Sequence, residues 1–171
     1  MLSLAKDHAF GRALVNSGRL SVPAFLVDSS LNTADSAGDG FSGRMVPGAP
    51  MDDAPVRESG AEGWLLDKVG GRFVALYFVD DARALDAVTT ATLAQLASGG
   101  IAVQPLLISR HPGSVDGVRQ LEDSHGIAAQ RYDARPGTVY LLRPDQHVAA
   151  RWRTLDAGQL RAAVARATCN I

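Results

Sequence analysis

Apolar positions divide the chain into two stretches of different character, with the change near residue 47. Downstream, Arg72-Phe-Val-Ala-Leu-Tyr-Phe-Val79 is apolar without alternation, and Ile101 to Ile108 repeats that pattern. Continuous apolar runs of strand length predict central strands covered on both faces. Between them Leu85, Val88, Thr92 and Leu96 keep one helical face apolar, with Asp80 or Asp81 as the cap and Ser98-Gly99-Gly100 as the stop. Before the first run, Trp64, Leu65 and Val69 predict a short helix over Glu62 to Val69, ended by Gly70-Gly71. After the second run, Ser114 caps a predicted helix with Val118 and Leu121 inside, closed by Gly126. Thr138 to Leu142 and Val148 to Trp152 flank Arg143-Pro144-Asp145-Gln146-His147 and predict an antiparallel hairpin. Asp156 with Gln159 three residues later resembles a capping box, opening a helix from Ala157 to Ala167 with Leu160, Ala163, Val164 and Ala167 on one face.

The upstream stretch is different. Leu4, Phe10, Leu14 and Val15 have loosely helical spacing over residues 4 to 16, and Asn16-Ser17-Gly18 is a left-handed stop. Ser21 to Pro50 is rich in Ser, Gly, Ala, Asp and Pro and too poor in large apolar residues to offset its own ordering entropy. It reads as a linker, or as a strap lying on another surface, with a partner that this chain need not contain.

The resulting order is helix, strand, helix, strand, helix, strand, strand, helix. A strand-helix-strand unit crosses over right-handed and makes parallel neighbours, and the terminal hairpin adds two antiparallel strands. The most economical α/β arrangement is a four-stranded mixed sheet with helices on both faces, the thioredoxin-like architecture. Ferredoxin-like packing competes but lacks a terminal strand-strand-helix unit.

Composition narrows the function classes. Hydrophobic residues make up 46% and charged residues 20% of 171 residues, ordinary globular usage that excludes wholesale disorder. Lys and Arg total 17 against 18 Asp and Glu, so no general field draws the protein to nucleic acid or anionic lipid. No apolar run approaches the roughly 18 residues of a membrane span, and the N-terminus lacks the apolar core of a signal peptide. The expected location is cytoplasmic. The one cysteine, Cys169, can form no internal disulfide.

Thioredoxin-type exchange needs a thiolate at a helix N-terminus. That place follows the first core strand and reads Asp80-Asp81-Ala82-Arg83, so dithiol exchange and a peroxidatic cysteine are excluded. Asp80, Asp81 and Arg83 are the nearest candidates for a non-thiol reaction, although helix capping explains the acids equally. Gly38-Asp39-Gly40-Phe41-Ser42-Gly43 spells G-x-G-x-x-G but lacks the preceding strand and following helix that a dinucleotide site requires. His8, His111, His125 and His147 show no metal-ligand spacing. Ser29, Ser30 and Ser109 have no nucleophile-elbow context. Arg151-Trp152-Arg153 reads as an edge strand with tryptophan in and arginines out, or as a stacking site for a base or anion. Pro136 stands just before the hairpin, where thioredoxin folds carry a cis-proline, and is assigned a structural role with either isomer open.

Two stretches carry a family resemblance. Phe10-Gly-Arg-Ala-Leu-Val-Asn-Ser-Gly-Arg-Leu-Ser-Val-Pro23 with Asp28-Ser-Ser-Leu-Asn32 resembles the end of the hydroxylase body in flavin-dependent aromatic hydroxylases of the 3-(3-hydroxyphenyl)propionate hydroxylase type. Pro47-Gly-Ala-Pro50, Asp53-Ala-Pro55 and Tyr140-Leu-Leu-Arg-Pro-Asp-Gln-His-Val-Ala-Ala-Arg-Trp152 resemble their C-terminal thioredoxin-like domain, a type also found in phenol hydroxylases. The resemblance implies residues 1–50 as the end of the hydroxylase body plus linker or strap, and residues 51–171 as the thioredoxin-like domain. It implies FAD and NAD(P)H for the parent monooxygenase and none for this chain, because the flavin fingerprint lies upstream in that family. The implied role is structural or oligomerising, with the hydroxylase body or a second subunit, as in a homodimer, for partner. The alternative is a freestanding thioredoxin-like binding module with no enzymatic activity.

Overall fold

The computed structural model describes residues 23–98 and 100–170. The helix expected over residues 4 to 16 lies outside the described residues, as does His8. The first run forms β3 (Phe73–Asp81) and the second forms β4 (Val103–His111), paired in parallel with Leu76 beside Leu106 and Phe78 beside Ile108. The hairpin is β6 (Val139–Leu142) and β7 (Val148–Trp152), with β6 antiparallel to β3. These four strands are the thioredoxin-like core.

The sheet is wider than four strands. Among the described residues it has seven, adding β1 (Pro55–Glu58), β2 (Ala61–Trp64) and β5 (Arg119–Glu122), in the order β2-β1-β5-β4-β3-β6-β7. Two expected helices are therefore replaced. Glu62 to Val69 supplies β2 and then a 3-10 turn over Leu65–Lys68, because Ser59 and Gly60, both at positive φ (50° and 83°), fold β1 back onto β2 in a tight hairpin. The segment after Ser114 leads into a strand: Gly117 (φ 73°) interrupts any helix, and Arg119–Glu122 pair in parallel with Leu106 to Ser109 of β4. Val118 and Leu121 are buried as expected, but Leu121 from a strand and Val118 from the residue just before it. Gly126 does not close that element; it precedes the five-residue helix α2 (Ile127–Arg131).

Helix α1 (Ala87–Leu96) starts later than expected, because β3 continues to Asp81 and a 3-10 turn over Ala82–Ala84 intervenes. Asp81 caps that turn, while Asp86 caps α1 by accepting from the Thr89 amide at 2.8 Å. The helical phase shifts with it: Leu93 and Leu96 are buried and Val88 faces solvent. Helix α3 (Ala157–Ala167) matches its expected bounds, and the Asp156 carboxylate accepts from the Gln159 amide at 2.9 Å. With α1 and α2 it makes three α-helices among the described residues.

The two sheet faces bury separate cores. Leu93 and Leu96 of α1 and Leu160, Ala163 and Val164 of α3 pack with Ala75, Leu107, Leu141 and Ala149 on one face. On the other, Leu76, Phe78, Ile108 and Tyr140 meet Tyr132 and Ala128, with Met45, Ala49 and Met51 arriving from the upstream segment. The described part of the strap lies against this chain's own hairpin.

Candidate functional site

Two places concentrate polar chemistry. The first is the end of β3. Asp81 accepts from the Arg83 amide at 2.9 Å and pairs with its guanidinium at 2.9 and 2.8 Å, which holds the carboxylate at about 2. Asp81 and Arg83 neutralise each other at the surface, and Asp80 stands apart from them on the rim of a separate pocket. The three candidates therefore do not converge on one reacting centre. That pocket, about 190 Å³, lies at the C-terminal ends of β3 and β4, with Phe78, Ile108 and Ala129 among its lining and Pro136 on its edge. Gly137, after Pro136, donates to the Phe78 carbonyl at 2.8 Å, so the segment before β6 is tied to β3. Every described peptide bond is trans, that of Pro136 included. Cys169 is exposed beyond α3 and far along the chain from this site.

The second place is the clasp between strap and hairpin. Main-chain bonds lay the strap along β7: Thr33 donates to Ala149 at 2.8 Å, and Gly48 donates to Val148 at 2.7 Å. Gly48 is required there, since its φ is 90° and a Cβ would fall 2.4 Å from the Leu26 carbonyl oxygen. Under the strap, Arg151 is only 3% exposed and grips Asp35 with two bonds, Nε to Oδ1 at 2.9 Å and Nη2 to Oδ2 at 2.6 Å. Its remaining Nη1 donates to the Met45 carbonyl at 3.1 Å. Burial works against the charge on Arg151, but the Asp35 and Tyr140 bonds outweigh it and raise its pKa.

Arg153 extends the clasp, pairing with Asp133 at 2.6 Å and donating to the Asp39 and Gly40 carbonyls. The Asp133 carboxyl is raised by burial, yet the Ser42 amide and the Arg153 guanidinium bring it below its ordinary value. The Phe41 ring lies 3.6 Å from the Arg153 guanidinium and 4.4 Å from that of Arg151, and meets Tyr140 edge-on at 6.0 Å. Each such cation–π contact contributes about 0.5–2 kcal/mol as it is desolvated.

This geometry revises one expectation. Arg151 and Arg153 do not point to solvent from a bare edge strand, because the strap covers them. The Gly38 to Gly43 loop presents carbonyl oxygens to an arginine, the opposite of the amide cradle a phosphate needs.

The other marked residues are dispersed. His111 ends β4, His125 lies in the turn before α2, and His147 sits in the hairpin loop 3.1 Å from the Ala24 carbonyl. Among the described residues no three His, Cys, Asp or Glu side chains form a metal-binding group. Ser109 is buried with its hydroxyl 2.6 Å from the Gln120 amide, and the Ser29 hydroxyl accepts from the Leu31 amide. Sequence reasoning missed Asp123, which is 3% exposed and caps α2 by accepting from the Ala128 and Ala129 amides. An acid four residues before an apolar Ile127 was the available signal.

A mixed sheet with this strand order and helices on both faces defines a thioredoxin-like α/β domain. The model of the HcaD C-terminal domain family matches residues 48–167, and the chain belongs to that family. A search of curated proteins finds no match. Among solved structures, the flavin-dependent monooxygenase PieE, in complex with FAD and substrate, aligns over 84% of this chain and 25% of its own, at 24% identity and a TM-score of 0.58. Aklavinone-11 hydroxylase, in a ternary complex with FAD and aklavinone, aligns over 81% and 25% at 20% identity and 0.59. Yeast Sco1 aligns over 69% of this chain and 97% of its own at 17% identity and 0.53. These structures share the fold, and the chain spans about a quarter of the length of the two monooxygenases.

Proposed function

We propose that this chain is the thioredoxin-like, redox-inactive C-terminal domain of an FAD-dependent aromatic-ring monooxygenase, with residues 1–50 as the end of the hydroxylase body plus strap and 51–171 as the domain. The observation that carries the reading is the end of β3. Where a thioredoxin thiolate would sit, the chain has an Asp81–Arg83 ion pair, and its lone thiol is exposed at the far end. Two carboxylates there would raise a thiol pKa, so the site opposes dithiol chemistry as well as lacking the sulfur. Family membership and the likeness to two FAD-bound monooxygenases support the parent's class. In this reading FAD and NAD(P)H bind the parent's upstream domains. The domain packs against the hydroxylase body or a second subunit, in the cytoplasm, and Pro136 has a structural part in shaping the segment before β6.

The strap supports a structural role. It runs from the N-terminal side across β7 and locks with a buried ion pair, so the segment entering the domain is rigidly joined to it. The test is to prepare the parent flavoprotein with and without residues 51–171, then measure oligomeric mass, flavin retention and NAD(P)H-dependent hydroxylation. Altered mass or lost flavin is expected. Unchanged mass, flavin content and turnover would overturn the structural role.

A further inference from the structure

Beyond packing, we infer that the pocket at the C-terminal ends of β3 and β4 binds a small organic carboxylate. In open α/β sheets ligands collect outside the carboxyl ends of the strands, where the following loops diverge. Here that place is a cleft of about 190 Å³ with Phe78, Ile108 and Ala129 in its lining. Drug-sized ligands occupy roughly 300–1,000 Å³, so this cleft suits something near the size of a single ring with a carboxylate.

Charge selects the ligand class. Arg110 and Arg135 both line the cleft, and neither has a carboxylate partner among the described residues. Seven other arginines do have one. The Arg110 guanidinium lies across Gly126, where an added Cβ would fall 2.6 Å from its Nη2, so the absence of a side chain there leaves its place open. Asp123 is in the same wall, but its oxygens already accept from the Ala128 and Ala129 amides at 3.2 and 2.9 Å. With Asp80 and Asp123 both in the lining, the formal charges of the cleft balance, so an anion is selected by the two guanidiniums that have no carboxylate partner among the described residues and not by a net positive field. The apolar lining favours an organic body over a mineral ion, with the carboxylate held by charge-assisted bonds.

The test is an amide-resolved NMR titration of the full chain with benzoate, with inorganic phosphate in a parallel arm. Benzoate is expected to give saturable shifts at Ser109, Arg110, Asp123 to Gly126 and Ala134 to Gly137. Arg110→Gln and Arg135→Gln, both at exposed side chains, are expected to weaken it about ten-fold or more each, the loss of one charge-assisted contact. Asp80→Asn removes the competing charge and is expected to tighten it. Preserved spectral dispersion in each variant shows that the fold is intact. Absence of saturable shifts, indifference to both arginine changes, or phosphate saturating the same residues more tightly than benzoate would each overturn the assignment. The inference is independent of the parent's identity.

Discussion

Removing Asp35 tests whether the strap is part of the folded domain. Arg151 is nearly sealed from water, and Asp35 supplies two of its three described hydrogen bonds. Deleting one partner of a buried pair strands the other charge and costs about 3–5 kcal/mol when burial is complete. The Asp35 side chain is 33% exposed, so water can enter from its side, and Asp35→Ala is expected to cost about 2–3 kcal/mol. Arg151→Met strands only an acid that water can reach, and about 1–2 kcal/mol is expected from the lost Met45 and Phe41 contacts. The double variant should be less destabilised than the sum, with a coupling of about 1 kcal/mol or more. Urea unfolding followed by Trp152 fluorescence reads these values, and a parallel thermal scan should show a drop of about 5–10 °C for Asp35→Ala. A change within about 0.5 kcal/mol for Asp35→Ala would refute the reasoning, as that is the range of an ordinary surface substitution.

Three further outcomes follow from single positions. Gly48→Ala puts a Cβ 2.4 Å from the Leu26 carbonyl oxygen at a φ of 90°, and a loss of about 2–4 kcal/mol is expected in the same urea assay. Asp123→Ala leaves two α2 amides uncapped beside a buried core and is expected to cost about 1–2 kcal/mol, with early amide exchange at Ala128 and Ala129. Glu58 is held at about 2, from an ordinary 4.5, chiefly by its bonds to Arg119 and also by Lys68. A depressed carboxylate stabilises the fold above its unfolded pKa and loses that contribution as pH falls toward the folded value. Glu58→Gln should therefore be less stable than the parent chain by about 1 kcal/mol near neutral pH after solvent screening, and the gap should close between about pH 4.5 and 2.

The central strands were legible because burial on both faces leaves an unbroken apolar run, as in Phe73 to Phe78. The hairpin and α3 were legible because turn and cap residues mark them, Pro144-Asp145 and Asp156 with Gln159. What escaped notice lies at the sheet's margin. Val118 and Leu121 are three residues apart, the spacing of one helical face, but they are buried on opposite faces of the sheet, Leu121 within β5 and Val118 just before it. Strands β1 and β2 are four residues each and carry Arg57, Glu58 and Glu62 at partly or fully exposed positions, so no alternation announces them. The strap itself was legible as one of two readings, but the surface it lies on was not. It is held by main-chain bonds and by Arg151 and Arg153, and hydrophobic patterning does not register either. At the candidate site the missing thiol was plain from the sequence, whereas Arg110 and Arg135 come to line one cleft only because β3 pairs with β4 on one side and β6 on the other.

The central claim is that this chain is a domain of a flavin monooxygenase. It is tested most directly by capturing the native protein from source cells with an antibody to this chain, then recording its mass and visible spectrum together. The account predicts a flavoprotein several times heavier than 18.0 kDa, with flavin absorbance that bleaches on adding NAD(P)H. A colourless protein of 18.0 kDa would contradict it.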